Sequence, residues 1–249
     1  MTGSIYEQLL SVTEKRKAGF LYLIDPDKTC LDKIPQIVHN IQSGGCDAIL
    51  IGGSLLFMNH FDEFIRSVKQ ETELPVIIFP GNSRQISTEA DAILFLNFIS
   101  SRNPNYLIGE QVLAAPVIRS MQLETISTGY MHIESGNITT VEFLSGSRPI
   151  PRDKNEIAVA HALAAEFIGM KLVYLEAGSG ARYSVPSDMI RSISEQTNIP
   201  IIVGGGIRSA NEAREKIEAG AKFVVIGTAI EENLSESFVQ EFADAIHRD

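Results

Sequence analysis

The chain has 249 residues, 44% of them hydrophobic and 21% charged, with a formal net charge of −10. That is globular composition at a length that suits one large α/β domain, and the acidic balance argues against a nucleic-acid footprint. No apolar run reaches the roughly 18–20 residues of a membrane span, and the opening "MTGSIYEQLL" lacks the basic and apolar regions of a signal peptide.

Short apolar runs alternate with longer helical patterns along the chain. "FLYLID" (20–25) precedes "CLDKIPQIVHNIQSGG", and "DAILIGG" (47–53) precedes "FMNHFDEFIRSVKQET". "PVIIFPG" (75–81) is followed directly by "DAILFLNF" (91–98), which leads into "LIGEQVLAAPVIRSMQ". "ETISTGYMHI" (124–133) precedes "PRDKNEIAVAHALAAEFIGM", and "KLVYLEAGSG" (171–180) precedes "SDMIRSISEQTN". "PIIVGGG" (200–206) precedes "SANEAREKIEAG", and "KFVVIGT" (222–228) precedes the closing "SESFVQEFADAIHRD".

The strand runs are continuously apolar, as parallel strands covered on both faces are. Eight such units over this length predict a (β/α)₈ TIM barrel forming one domain over residues 1–249. An open doubly wound sheet is the alternative, but no G-x-G-x-x-G follows the first strand. Two places depart from the repeat. The link "NSRQISTEA" between strands three and four is too short for a crossover helix, so the third helix is expected to be missing. After strand five, the turn signal "ESGN" flanked by β-branched residues predicts a hairpin extension.

In such barrels the working face lies at the strands' C-terminal ends. Strand six exits into "EAGSG", strand seven into "GGG" and strand eight into "GT". Glycines let backbone approach a ligand, and N–H groups opening a helix bind anions, so these adjacent exits predict a phosphate site. Strand one exits into "DPDK". Asp25 at that strand end and Ser54 at the neighbouring exit offer hard oxygen donors that could hold one Mg²⁺, whereas Asp27 reads as a helix N-cap. The five histidines show no zinc-ligand spacing, and Cys30 and Cys46 read as reduced thiols of a cytoplasmic protein.

At "LIDPDK", "IGGS", "FPGN", "SRNP", "YLEAGSGA", "VGGGIRS" and "IGT" the chain resembles the geranylgeranylglyceryl phosphate synthase family, in its larger branch. The resemblance runs from about residue 20 to about residue 230, with the motifs in order and at the family's spacing. It implies a reaction in which the 3-hydroxyl of sn-glycerol 1-phosphate attacks a prenyl diphosphate, geranylgeranyl diphosphate in particular. An ether of lipid biosynthesis forms and pyrophosphate leaves. It also implies Mg²⁺ on Asp25 and Ser54, and a homo-oligomer, dimer or hexamer. Glycerol phosphate is implied at Tyr174, Leu175, Glu176, Ala177, Gly178, Ser179 and Gly180, at Gly205 and Gly206, and at Gly227 and Thr228. Glu176, with Tyr174, is the implied catalytic pair. Relatives often carry Asn where Thr228 stands, a change that keeps the backbone N–H.

Two further readings use the same residues: a sugar-phosphate isomerase or cyclase on the same barrel, and a non-catalytic phosphate-ligand binding protein. The isomerase or cyclase has no use for a metal or an apolar groove. The missing helix predicts such a groove, with Leu55, Phe57, Phe79 and Phe98 near its mouth.

Overall fold

A computed structural model describes residues 4–247. Eight parallel strands close into a barrel in chain order: β1 (Gly19–Ile24), β2 (Ala48–Ile51), β3 (Val76–Ile78), β4 (Ala92–Asn97), β5 (Glu124–His132), β6 (Leu172–Glu176), β7 (Ile201–Gly204) and β8 (Phe223–Ile226). Along β4, Ala92, Leu94 and Leu96 point into the barrel while Ile93 and Phe95 point out toward the helices. The same alternation holds along β6, where Leu172 and Tyr174 face in and Val173 and Leu175 face out. Both faces are buried, which is why the strand runs are apolar throughout.

The outer layer comprises α2 (Ile34–Ser43), α3 (Phe61–Glu71), α4 (Glu110–Met121), α6 (Asn155–Ile168), α7 (Ser187–Ser194), α8 (Ala210–Glu218) and α10 (Glu236–Ile246). Shorter helices are α5 (Thr140–Ser145) and α9 (Thr228–Glu232). Residues 79–91, between β3 and β4, contain no helix, so the third crossover helix is missing as the length of that link predicts.

Helix α1 (Ile5–Arg16) precedes β1 and belongs to none of the eight units. It starts at a reciprocal capping box, with the Ser4 hydroxyl accepting the Glu7 N–H and the Glu7 carboxylate accepting the Ser4 N–H. Glu124, opening β5, accepts the N–H groups of Ile5 and Tyr6 at 2.7 and 3.0 Å, a carboxylate at a helix N-terminus. Leu9 joins the barrel's inner core, so α1 covers the end opposite the working face.

The expected hairpin after β5 is not formed. Thr139 instead accepts the Glu142 N–H and caps α5, a pairing the T-x-x-E spacing encodes. The chain then returns parallel to β5, with Ile150 donating to the His132 carbonyl and accepting from the Glu134 N–H. Helix capping by Thr139 wins over the local turn signal. Among the described residues no helix is long and apolar enough to cross a membrane.

Candidate active site

A cavity of about 710 Å³ opens at the C-terminal ends of the strands. It gathers Asp25, Ser54, Tyr174, Glu176, Gly178, Ser179, Gly180, Gly205, Gly206, Gly227 and Thr228 along one wall system. Leu175 and Ala177 are not part of it. The strand's alternation turns both outward into the layer between sheet and helices, and the Ala177 N–H is spent on the Gly204 carbonyl.

Glu176 ends β6 facing inward and is only 7% exposed. Its Oε1 accepts the Gly178 N–H at 2.6 Å. Burial pushes its carboxyl up to about 7, against the opposing pull of the Gly178 N–H and the nearby Tyr174 hydroxyl. That hydroxyl, fully buried, lies beside the carboxylate without meeting hydrogen-bond geometry, and so has no partner in the protein. A buried polar group without a partner facing a cavity is a place where a polar ligand atom fits. Phe79 stacks on the Tyr174 ring at 4.9 Å and 13°, which fixes the ring's orientation.

The raised carboxyl has a cost in stability. Folding favours the protonated form, so this contribution is fully present below the ordinary carboxylate range near 4.5 and is lost as pH rises through about 7. Glu176→Gln is therefore expected to be more stable than the wild type near pH 8, by up to about 3 kcal/mol and with a higher Tm, and to match it near pH 4. Thermal melts at the two pH values check this. An equal shift at both would contradict the assignment of the charge to Glu176.

The three glycine-bearing exits meet around this carboxylate. Gly178, Gly180, Gly205 and Gly206 all take left-handed φ, between 70° and 98°. The approach is closest at Gly205, where a Cβ would lie 2.4 Å from Glu176 Oε1 and 2.7 Å from the Gly178 nitrogen. Helix α9 opens from Gly227 with no side chain capping its first turn, leaving those N–H groups facing the cavity. Arg208, two residues past the strand-seven glycines, lines the same wall and donates to the carbonyls of Ala181 and Arg182 at 2.8 and 3.2 Å. Arg208 was not among the residues expected at the site; a cation two residues behind a glycine-rich exit is the signal that marks it. The assembly is a set of backbone donors with one guanidinium beside them, the chemistry that holds a phosphate.

His132 also escapes the sequence reading. It ends β5 opposite Glu176, and its Nε2 lies 3.2 Å from the Thr139 hydroxyl. Burial pushes its imidazole down to about 4, so it is neutral at physiological pH. Thr139 packs directly on Gly178, and the pair props the glycine loop from behind.

Across the cavity, Asp25 Oδ1 accepts the Asp27 N–H at 3.1 Å, and Asp25 Oδ2 meets Lys28 Nζ at 3.0 Å. Asp27 is not the helix N-cap expected of it. Its carboxylate accepts the N–H groups of Phe57 and Met58 at 2.7 and 2.9 Å, fastening the loop after β2 over the exit of β1. Asp25 packs against Gly53, beside Ser54. Among the described residues no cluster of three or more His, Cys, Asp or Glu side chains gathers. One carboxylate with a neighbouring hydroxyl and carbonyls still fits Mg²⁺, which takes few protein ligands and keeps waters or substrate oxygens.

The remaining wall is apolar. Leu55, Phe57, Phe79 and Phe98 all line the cavity, which continues past them to Ile86, Ile93, Phe95, Ala114 and Ile118. Ile93, Ala114 and Ile118 belong to the layer outside the sheet. The trough therefore passes over the C-terminal end of β3 and runs down outside β4 toward α4, on the side where a third helix would pack. Phe98 holds its position by edge contacts to Tyr130 at 4.9 Å and to Tyr106 at 6.3 Å.

The model of the PcrB family matches residues 10–246. The geranylgeranylglyceryl phosphate synthase of Chitinophaga pinensis is 44% identical over 247 residues, 99% of this chain and 97% of that protein. The enzyme of the same name from Methanosphaera stadtmanae is 43% identical, over 97% of this chain and 99% of that protein. Among solved structures, (S)-3-O-geranylgeranylglyceryl phosphate synthase from Thermoplasma acidophilum, in complex with substrate sn-glycerol-1-phosphate, superposes with a TM-score of 0.94. It is 35% identical, with 99% of each chain covered.

Proposed function

The chain belongs to the PcrB family, and from that premise we propose that it is a prenyltransferase. It joins the 3-hydroxyl of sn-glycerol 1-phosphate to carbon 1 of a prenyl diphosphate, geranylgeranyl diphosphate, with release of pyrophosphate. The observation that carries this reading is a single cavity joining a buried carboxylate among phosphate-type loops to an apolar trough.

The backbone donors of the glycine loops and Arg208 hold the phosphate of the acceptor. A three-carbon acceptor anchored there presents its far hydroxyl to Glu176, and this fixed geometry replaces a bimolecular encounter. As the ether C–O bond forms, the bond from carbon 1 to the diphosphate oxygen breaks, and Glu176 takes the hydroxyl proton. A carboxyl raised to about 7 is a stronger base than an ordinary glutamate and is substantially ionised at neutral pH. The unpartnered Tyr174 hydroxyl can hold the acceptor's oxygen during the transfer. Asp25, with Ser54, is the group that would hold Mg²⁺, and such an ion would neutralise charge on the leaving diphosphate.

The trough takes the prenyl chain, whose burial is worth roughly 0.8 kcal/mol per methylene at best. Phe98→Ala is expected to widen it and shift donor preference toward longer chains, while the KM for sn-glycerol 1-phosphate stays unchanged. Competition among prenyl diphosphates of graded length checks this. Equal responses in both substrates would make Phe98 a fold residue only.

Two coarser points complete the reading. Val112, Leu113 and Val117 on α4, and Phe167 and Ile168 on α6, are exposed apolar side chains that support a homo-oligomer. Cys30 and Cys46 are unpaired, which accords with the reducing cytoplasm. Transfer of label from a radiolabelled prenyl diphosphate to glycerol phosphate, with and without Mg²⁺, tests the function. An isomerase or a binding protein would transfer none.

A further inference from the structure

Among the described residues two cationic side chains line the cavity, at the exits of two different strands. Arg208 serves the glycine loops, whereas Lys28 sits at the exit of β1. Lys28 is 54% exposed, and its ammonium is paired with Asp25, the carboxylate read above as the metal's ligand. The other Asp25 oxygen is already occupied by the Asp27 N–H. Glu231 on α9 couples electrostatically to both Lys28 and Asp25, so this end is net negative without the lysine.

A divalent cation and an ammonium repel each other strongly at one carboxylate oxygen. Any metal that binds Asp25 must therefore displace Lys28 from it. The lysine has a flexible four-carbon stem and three rotatable donors, so a small swing redirects it into the cavity it already lines. We propose that Lys28 works in two positions: counter-ion of Asp25 in the free enzyme, and ligand of the donor's diphosphate once the metal has taken Asp25. This rests on the Asp25–Ser54 metal reading. It makes the metal and the diphosphate cooperative, because the diphosphate stabilises the swung lysine and thereby frees the metal's ligand.

Mn²⁺ alone, titrated into metal-free protein and followed by electron paramagnetic resonance, tests the first position without turnover. Lys28→Met is expected to bind Mn²⁺ about two- to fivefold more tightly than the wild type, the range set by losing a partly exposed ion pair. Its KM for geranylgeranyl diphosphate should rise about tenfold, in the range of losing one charge-assisted hydrogen bond, while the KM for sn-glycerol 1-phosphate holds. Lys28→Arg, which keeps the charge, should bind Mn²⁺ as weakly as the wild type and recover part of the donor KM. Mn²⁺ affinity in Lys28→Met equal to or below that of the wild type would overturn the proposal, as would a parallel rise in both KM values. Asp25→Asn separates the two layers: Mn²⁺ binding unchanged in that variant would refute the metal reading on which the proposal stands.

Discussion

Glu176→Gln is expected to lower kcat by about 10²–10⁴ while sn-glycerol 1-phosphate still binds, the usual cost of losing a general base. The amide keeps the shape of the side chain, and its carbonyl oxygen can still accept the Gly178 N–H now held at 2.6 Å. What it loses is the ability to take a proton. The wild type should show an acid limb in kcat/KM, with activity rising through pH 7, because burial holds the carboxyl at about 7 and only the ionised form is a base. The variant's residual rate should lack that limb. Steady-state kinetics across pH, with calorimetric binding of the acceptor, measure both quantities. Near wild-type kcat in the variant would place the base elsewhere.

Gly205→Ala is the second large effect. Its Cβ would fall 2.4 Å from Glu176 Oε1 and 2.7 Å from the Gly178 nitrogen, at a residue with φ of 82°. The left-handed backbone alone costs an alanine about 1–2 kcal/mol. The collision adds the greater damage to function, because it pushes on the base and on the phosphate loop together. A displacement of about 1 Å in a reacting geometry can cost 10²-fold, so a loss of about that size in kcat/KM for sn-glycerol 1-phosphate is expected. The KM for the prenyl donor should change little. Gly169→Ala isolates the backbone strain: Gly169 has φ of 88° at the end of α6, with nothing within 4 Å of a Cβ. That control should turn over normally despite some loss of stability. Equal kinetics in the two alanine variants would mean that Gly205 contributes strain alone.

The barrel was legible because its signal is local and repeated. Apolar runs such as "LVYL" and "IIV" declare strands buried on both faces, and the short β3–β4 link declares a missing helix by length alone. Glu176 was legible because a lone carboxylate at a strand end, followed by glycines, stands out from both the strand and the loop. The parts that were not legible depend on partners distant in sequence. Asp27 binds a loop some 30 residues away, and His132 owes its neutral state to burial created by the whole fold. Arg208 shows its purpose only when the exits of β6 and β7 are set side by side. The stretch after β5 held two local signals, a turn at "ESGN" and a cap at Thr139, and the cap is reinforced by the tertiary contacts of Thr139 with Gly178 and His132. Helix α1 could have been found, since Ser4 and Glu7 spell a capping box before an apolar stretch.

Ether formation is tested most directly by mass spectrometry of the lipid made from geranylgeranyl diphosphate and Mg²⁺, with sn-glycerol 1-phosphate or its sn-3 enantiomer as acceptor. The expected product is a geranylgeranyl ether of glycerol phosphate, formed preferentially from the sn-1 acceptor and lost in Glu176→Gln. Recovery of geranylgeraniol and pyrophosphate alone, or of no ether from either acceptor, would contradict it.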